Sequence, residues 1–190
     1  HVLAGSAISW NHGRSVDDNS APKSSISPGI WRIHRQQVSS NFAPRKSALI
    51  GGTGTGKTHL LTALGYVACE KGIRVRFARV IDMINVLTTA QINGTLEKRL
   101  REYVRPDLLL LDELGYLPID KRGADLMFQV VAARYESGSI VLTTNRKFRD
   151  WGKTFDVDNT LATAMIDRLM HHGEAILIDG GSFRTGDSQD

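Results

Sequence analysis

The 190-residue chain carries 24 Lys and Arg against 20 Asp and Glu, a formal charge of +4, with 41% hydrophobic and 23% charged residues. These proportions lie near the globular average of roughly 45% apolar and 25% charged, which excludes collagen, wholesale disorder and a disulfide scaffold and suits one domain with a tail. The small cationic excess permits a polyanionic partner without requiring one.

The chain opens HVLAGSAISW, with neither an initiating Met nor a basic stretch followed by an apolar one. It does not read as a signal peptide, and a fragment or a processed form would begin this way. Residues 1–46 are rich in Ser, Asn, Pro and Gly, with the clusters DDNSAPKSSISPG and SSNFAPRKS. They are expected to form an irregular or disordered leader. Trp10, His12, Trp31 and His34 are scattered through it without the spacing of a ligand set.

From Ser47 the pattern changes to short apolar runs alternating with longer amphipathic stretches, the mark of repeated β-α units around a mainly parallel sheet. The first predicted strand, Ala48 to Ile50, leads into GGTGTGKT, Gly51 to Thr58, and then a predicted helix from Lys57 to Lys71. This fits G-x-x-x-x-G-K-[ST] in the strand-to-helix context that the motif needs. Gly51, Gly52, Thr53, Gly54, Thr55 and Gly56 would curl so that successive N–H groups face phosphate oxygens, with His59 following. Lys57 would reach the β- and γ-phosphates of ATP, and the Thr58 hydroxyl would ligate Mg²⁺. Cys69, the single cysteine, cannot form an internal disulfide. It reads as a small buried hydrophobe in a reducing, cytoplasmic compartment.

A second strand is predicted over Val75 to Ala78, then helices over Val80 to Asn93 and Leu96 to Tyr103. The third strand, Leu108 to Leu111, ends in Asp112 and Glu113. There Asp112 would hold the metal through its water shell and Glu113 would polarise an attacking water as general base. A helix over Ala124 to Ser137 precedes a fourth strand, Ile140 to Thr143, which runs into Thr143-Thr144-Asn145. In a parallel sheet the strand ends share one crevice, so Asn145 would emerge beside Asp112 and the γ-phosphate. A last helix, Leu161 to His172, and a last strand, Ala175 to Ile178, complete a five-stranded three-layer α/β/α sandwich. Strand runs without polar alternation imply burial on both faces. No run reaches the ~18 apolar residues of a membrane span.

GGTGTGKTHLLTALGYVACEKG, LLLLDELGYLPID, the stretch from YESGSIVLTTN to RDWGKTF, and MIDRLMHHGEAILIDGGSFR together resemble the IstB-like helper ATPases of bacterial insertion sequences. These are relatives of the DnaC-type helicase loaders in the AAA+ class. The resemblance covers about residues 46–185 and implies a core over 47–185 with a short tail at 186–190. It also implies ATP hydrolysis completed between neighbouring subunits. Arg168 in IDRLMHH looks like the arginine finger, Arg184 resembles a further family position, and His171 and His172, about 100° apart on a helix, receive no catalytic role. The implied function is an ATPase that assembles on double-stranded DNA as a homo-oligomer, without a membrane, and assists an IstA-like transposase in target selection.

Basic clusters offer candidate phosphate contacts: Arg74, Arg76 and Arg79; Lys98, Arg99, Arg101 and Arg105; Arg146, Lys147, Arg149 and Lys153. Solvated helix faces look alike. Residues 1–45 do not resemble the helical amino-terminal region of family members, and no helical lid domain is expected. Three alternatives stay open: a DnaC-like helicase loader, a small-molecule P-loop kinase, and an inactive remnant that binds nucleotide without recruiting a partner.

Overall fold

In a computed structural model of the chain, residues 45–155, 159–171 and 173–180 are described. The expectations for the rest of the leader and the tail, and for Trp10, His12, Trp31, His34, His172 and Arg184, fall outside them. Lys46, assigned to the leader, instead opens the first strand.

The strands are β1 (Lys46–Gly51), β2 (Val75–Arg79), β3 (Leu108–Leu114), β4 (Ser139–Thr144) and β5 (Gly173–Ile178). All pairings are parallel, in the order β2-β3-β4-β1-β5. The helices are α1 (Lys57–Glu70), α2 (Val80–Ile92), α3 (Leu96–Val104), α4 (Lys121–Ala133), α5 (Trp151–Thr154) and α6 (Asn159–Met170). Every element expected from the sequence is present, with ends displaced by a few residues. α4 begins three residues earlier than its apolar pattern because Asp120 caps it, accepting from the Gly123 N–H at 2.8 Å. That cap stabilises a helix start by about 1 kcal/mol.

Alternate strand residues feed two cores. Ala48, Ile50, Leu109, Leu111, Ile140 and Leu142 face α2, α4 and α6, where they meet Leu87, Val130 and Met165. Leu49, Leu108, Leu110 and Val141 face the other way and meet Leu61, Ala68 and Cys69 of α1. Each such Leu or Val gains about 1.5–3 kcal/mol on leaving water. The three layers are therefore unequal: among the described residues α1 is the one long helix on its side. Burial on both faces holds for β3 and β4 but not for β5, an edge strand whose Leu177 is 71% exposed.

One stretch departs from expectation. Between β4 and α6 a 3₁₀ turn, Phe148–Asp150, leads into α5. These pieces are too short to show a helical period, and an aromatic stack holds them. Phe148 and Trp151 meet edge-on at 5.1 Å, and Trp151 and Phe155 at 5.9 Å, with Trp151 and Phe155 fully buried.

Candidate functional site

The site forms at the carboxyl end of the sheet, where β4 lies between β1 and β3. Gly56, with φ of 84°, stands before the first turn of α1 in a conformation that a side chain would strain. Unlike α4, α1 has no side-chain cap and no acidic residue in its first turn. Its leading N–H groups and the positive end of its dipole therefore face the loop, which suits an anion. Lys57 is only 4% exposed, and its ammonium donates to Gly51 O at 2.9 Å, Gly52 O at 2.5 Å and Thr55 Oγ1 at 3.3 Å. The loop thus encloses its own cation. Thr55 Oγ1 donates to Gly52 O at 3.0 Å and tightens the turn, while Thr53 and His59 lie exposed at its rim.

Asp112 is 2% exposed and accepts two hydroxyl bonds on Oδ1, from Thr58 at 3.2 Å and from Thr143 at 2.5 Å. A hydroxyl and a buried carboxylate brought together from β3 and α1 form the hard oxygen set that Mg²⁺ takes. Asp112 and Glu113 sit in a bulge: Leu111 pairs with Leu142 and Leu114 with Thr144, so the two acids oppose the single residue Thr143. Glu113 adopts φ of 64°, a left-handed conformation rarely found away from glycine and typical of strained functional positions. Its N–H, lifted from the strand ladder, donates to Thr143 Oγ1 at 2.9 Å.

Asn145 follows β4, and its Oδ1 is buried without a hydrogen-bond partner among the described residues. A buried amide oxygen in that state is costly unless a donor such as water meets it. Next to it, Gly115 has φ of 88°, and a Cβ there would lie 2.7 Å from Arg146 Cγ. Arg146 Nε reaches the Gly115 carbonyl at 3.4 Å. The β4 end thereby presses on the chain leaving β3.

Arg168 lies elsewhere. β5 starts beside Lys46, so α6 ends at the amino end of the strands, opposite the phosphate loop at their carboxyl end, with most of a strand between them. β1 alone spans about 17 Å at roughly 3.3 Å per residue. The Arg168 guanidinium stacks 4.7 Å from the Phe128 ring centre, and Nη1 donates to Ala164 O at 3.1 Å. The loop residues, Asp112, Glu113 and Asn145 are thus brought together, and Arg168 is set apart from them. At that same amino end of the strands His171 Nδ1 lies 2.8 Å from the Tyr135 hydroxyl.

The basic clusters separate in the same way. Arg74 pairs with Asp107, Arg79 with Asp82, Arg99 with Glu102 and Arg101 with Glu97, while Arg76 stacks on Tyr103. Lys98 and Arg105 are exposed with no acidic partner among the described residues, as is Lys147 after β4. Three residues escaped the sequence reading as individuals: Thr143, Gly115 and Arg134. Thr143 and Gly115 lie inside the stretches Thr143-Thr144-Asn145 and LLLLDELGYLPID without a role of their own, and Arg134 carries no local signal.

Comparisons with known proteins bear on the family and the fold. The sequence model of a family described as IstB-like ATP binding protein matches residues 36–190. A protein described as ATP-binding in insertion sequence IS5376 of Geobacillus stearothermophilus is 41% identical over 152 residues, covering 79% of this chain and 60% of its own length. The chain therefore spans about three-fifths of that relative. Among solved structures, the DnaC helicase loader superposes with a TM-score of 0.59 at 26% identity, over 70% of this chain and 78% of the loader. The replication initiator DnaA bound to AMPPCP and single-stranded DNA gives 0.60 at 27% identity, over 72% of this chain and 41% of DnaA. The chain shares the α/β P-loop fold with both solved structures.

Proposed function

The chain belongs to the IstB-like ATP-binding protein family, and on that footing we propose that it is an ATPase that assembles on double-stranded DNA and assists a transposase in target selection. The observation that carries the ATPase reading is the meeting of Thr58 and Asp112 at 3.2 Å beside an uncapped helix start. The DNA reading draws on the similar initiator solved with AMPPCP and single-stranded DNA, and the transposase on the insertion-sequence setting of the relatives. The ATPase core runs from Lys46, the first residue of β1, to residue 185. Among the described residues no helix is long and apolar enough to cross a membrane, and the assignment is to the cytoplasm.

The α1 N–H groups and Lys57 bind the β- and γ-phosphates, for which the Lys57 ammonium exchanges its loop carbonyls for phosphate oxygens. Thr58 and Asp112 would hold Mg²⁺, and the ion would supply neutralisation of the charge on the phosphoryl oxygens. Glu113 accepts a proton from the attacking water, and the orphan Asn145 oxygen accepts a hydrogen bond from that water and orients it. Arg168, set apart from its own loop, serves the next subunit in a homo-oligomer, stabilising the transition state across the interface.

The test is steady-state ATP hydrolysis with and without double-stranded DNA across protein concentration and salt. Specific activity that rises with concentration and with DNA, and falls with salt, is the expected outcome. Hydrolysis indifferent to DNA and to concentration would refute the assembly. The DnaC likeness favours a second reading, a helicase loader. It would respond to single-stranded DNA and a replicative helicase instead of duplex and transposase.

A further inference from the structure

Thr143 occupies a position that the ATPase reading leaves unused. It is 1% exposed and is the one residue on β4 opposing the bulge that carries both acids. Its single hydroxyl makes two bonds of opposite sense: it accepts the Glu113 N–H at 2.9 Å and donates to Asp112 Oδ1 at 2.5 Å. The first bond gives a partner to the backbone donor that the bulge removes from the ladder, and so helps hold Glu113 at φ of 64°. The second fixes one oxygen of the carboxylate that also meets Thr58. Metal-ligating carboxylates depend on such supporting hydrogen bonds for their orientation.

We propose that Thr143 is a positioning residue: one hydroxyl clamps Asp112 and the backbone of Glu113 together, so that metal ligand and general base keep a fixed relation. This rests on the hydrolytic role of Asp112 and Glu113 given above. The geometry distinguishes Thr143 from its neighbours. Thr144 uses its hydroxyl on the backbone of Arg146, at 3.0 Å from the Arg146 N–H, and Asn145 lies past the bulge. Valine keeps the shape of threonine and loses both bonds, whereas serine keeps the hydroxyl.

The test compares full-length wild type, Thr143→Val, Thr143→Ala, Thr143→Ser and Glu113→Gln in two assays. One is ATP hydrolysis resolved into kcat and KM. The other is Mn²⁺ affinity, read by electron paramagnetic resonance with AMPPCP present. Thr143→Val and Thr143→Ala should each lose about 10- to 100-fold in kcat and in Mn²⁺ affinity, with KM for ATP within about threefold. Thr143→Ser should recover most of both, which a residue needed only for packing would not show. Thermal unfolding of each variant identifies any that do not fold, and alanine stands in for valine if the buried methyl is not accommodated. Wild-type kcat and Mn²⁺ affinity in a folded Thr143→Val or Thr143→Ala protein would overturn the clamp. If Glu113→Gln hydrolyses ATP like wild type, the general-base reading fails instead, and Mn²⁺ affinity alone decides whether Thr143 supports Asp112.

Discussion

Thr58 and Asp112 stand 54 positions apart in the chain, yet Thr58 Oγ1 donates to Asp112 Oδ1 at 3.2 Å. Two elements that share no sequence neighbours, the first turn of α1 and the end of β3, thus contribute one oxygen pair. Thr58→Val keeps the shape and removes the hydroxyl. ATP affinity measured in EDTA should stay within about threefold of wild type, while the gain in affinity on adding Mg²⁺ should vanish. An undiminished Mg²⁺ effect in titration calorimetry would remove Thr58 from the metal site.

Glu113→Gln should retain ATP binding and lose hydrolysis by about 100-fold or more, the scale of general-base catalysis. Glutamine keeps the side-chain length and the backbone bond to Thr143 while giving up the proton acceptor. A fluorescent ATP analogue reports binding and phosphate release reports turnover. Loss of both together would assign Glu113 a structural role.

Gly115→Ala should destabilise the fold for two separable reasons. Its φ of 88° disfavours any side chain, and the added methyl would press on Arg146 Cγ at 2.7 Å. The backbone part costs about 1–2 kcal/mol, which lowers the melting temperature by roughly 2–4 °C per kcal/mol in a chain of this size. Truncation of Arg146 in the double variant Gly115→Ala, Arg146→Ala should relieve the steric part and leave the backbone part. Equal melting temperatures for the single and double variants would show that Arg146 yields freely.

Arg134 is fully buried after α4, where burial pushes its guanidinium down to about 10, opposed by the charge of Asp107. It remains charged at neutral pH. Nη1 donates to the carbonyls of Tyr103, Val104 and Pro106, and Nη2 to those of Asp107 and Ser139. One side chain therefore satisfies the end of α3 and the entry to β3 and β4. Arg134→Met fills similar volume but leaves these acceptors without their donor, at a cost of about 1–3 kcal/mol for each one that water does not reach. Urea unfolding should show a midpoint well below wild type, whereas a shift under about 0.5 kcal/mol would show that water replaces the guanidinium.

Arg168 offers a test of subunit sharing. Lys57→Ala should abolish nucleotide binding, and Arg168→Ala should impair hydrolysis with binding intact. Mixed in equal amounts, the two inactive proteins should recover part of the wild-type rate, because an intact loop in one subunit can meet an intact arginine in its neighbour. No recovery in oligomers shown to contain both variants would refute the shared site.

Local contiguity explains what the sequence by itself determined. Gly51 to Thr58 lie in one turn, so their identities and spacing define the phosphate loop before any tertiary contact forms. The apolar runs of β1 to β5 mark a sheet because burial selects for them residue by residue. The step from Leu111 to Asp112 and Glu113 likewise announces the polar end of a strand. The tertiary structure decided relations between segments. Asp112 and Glu113 look like consecutive strand residues, but in the β3–β4 pairing they form a bulge opposite the single residue Thr143, with Glu113 at positive φ. Phe148 to Phe155 has no periodicity because an aromatic stack, and no long helix face, holds it. Arg134 resembles any helix-end cation until three backbone segments converge on it. Hydrogen bonds and ring contacts between residues distant in the chain depend on strand order and register, and those emerge only when the whole sheet assembles.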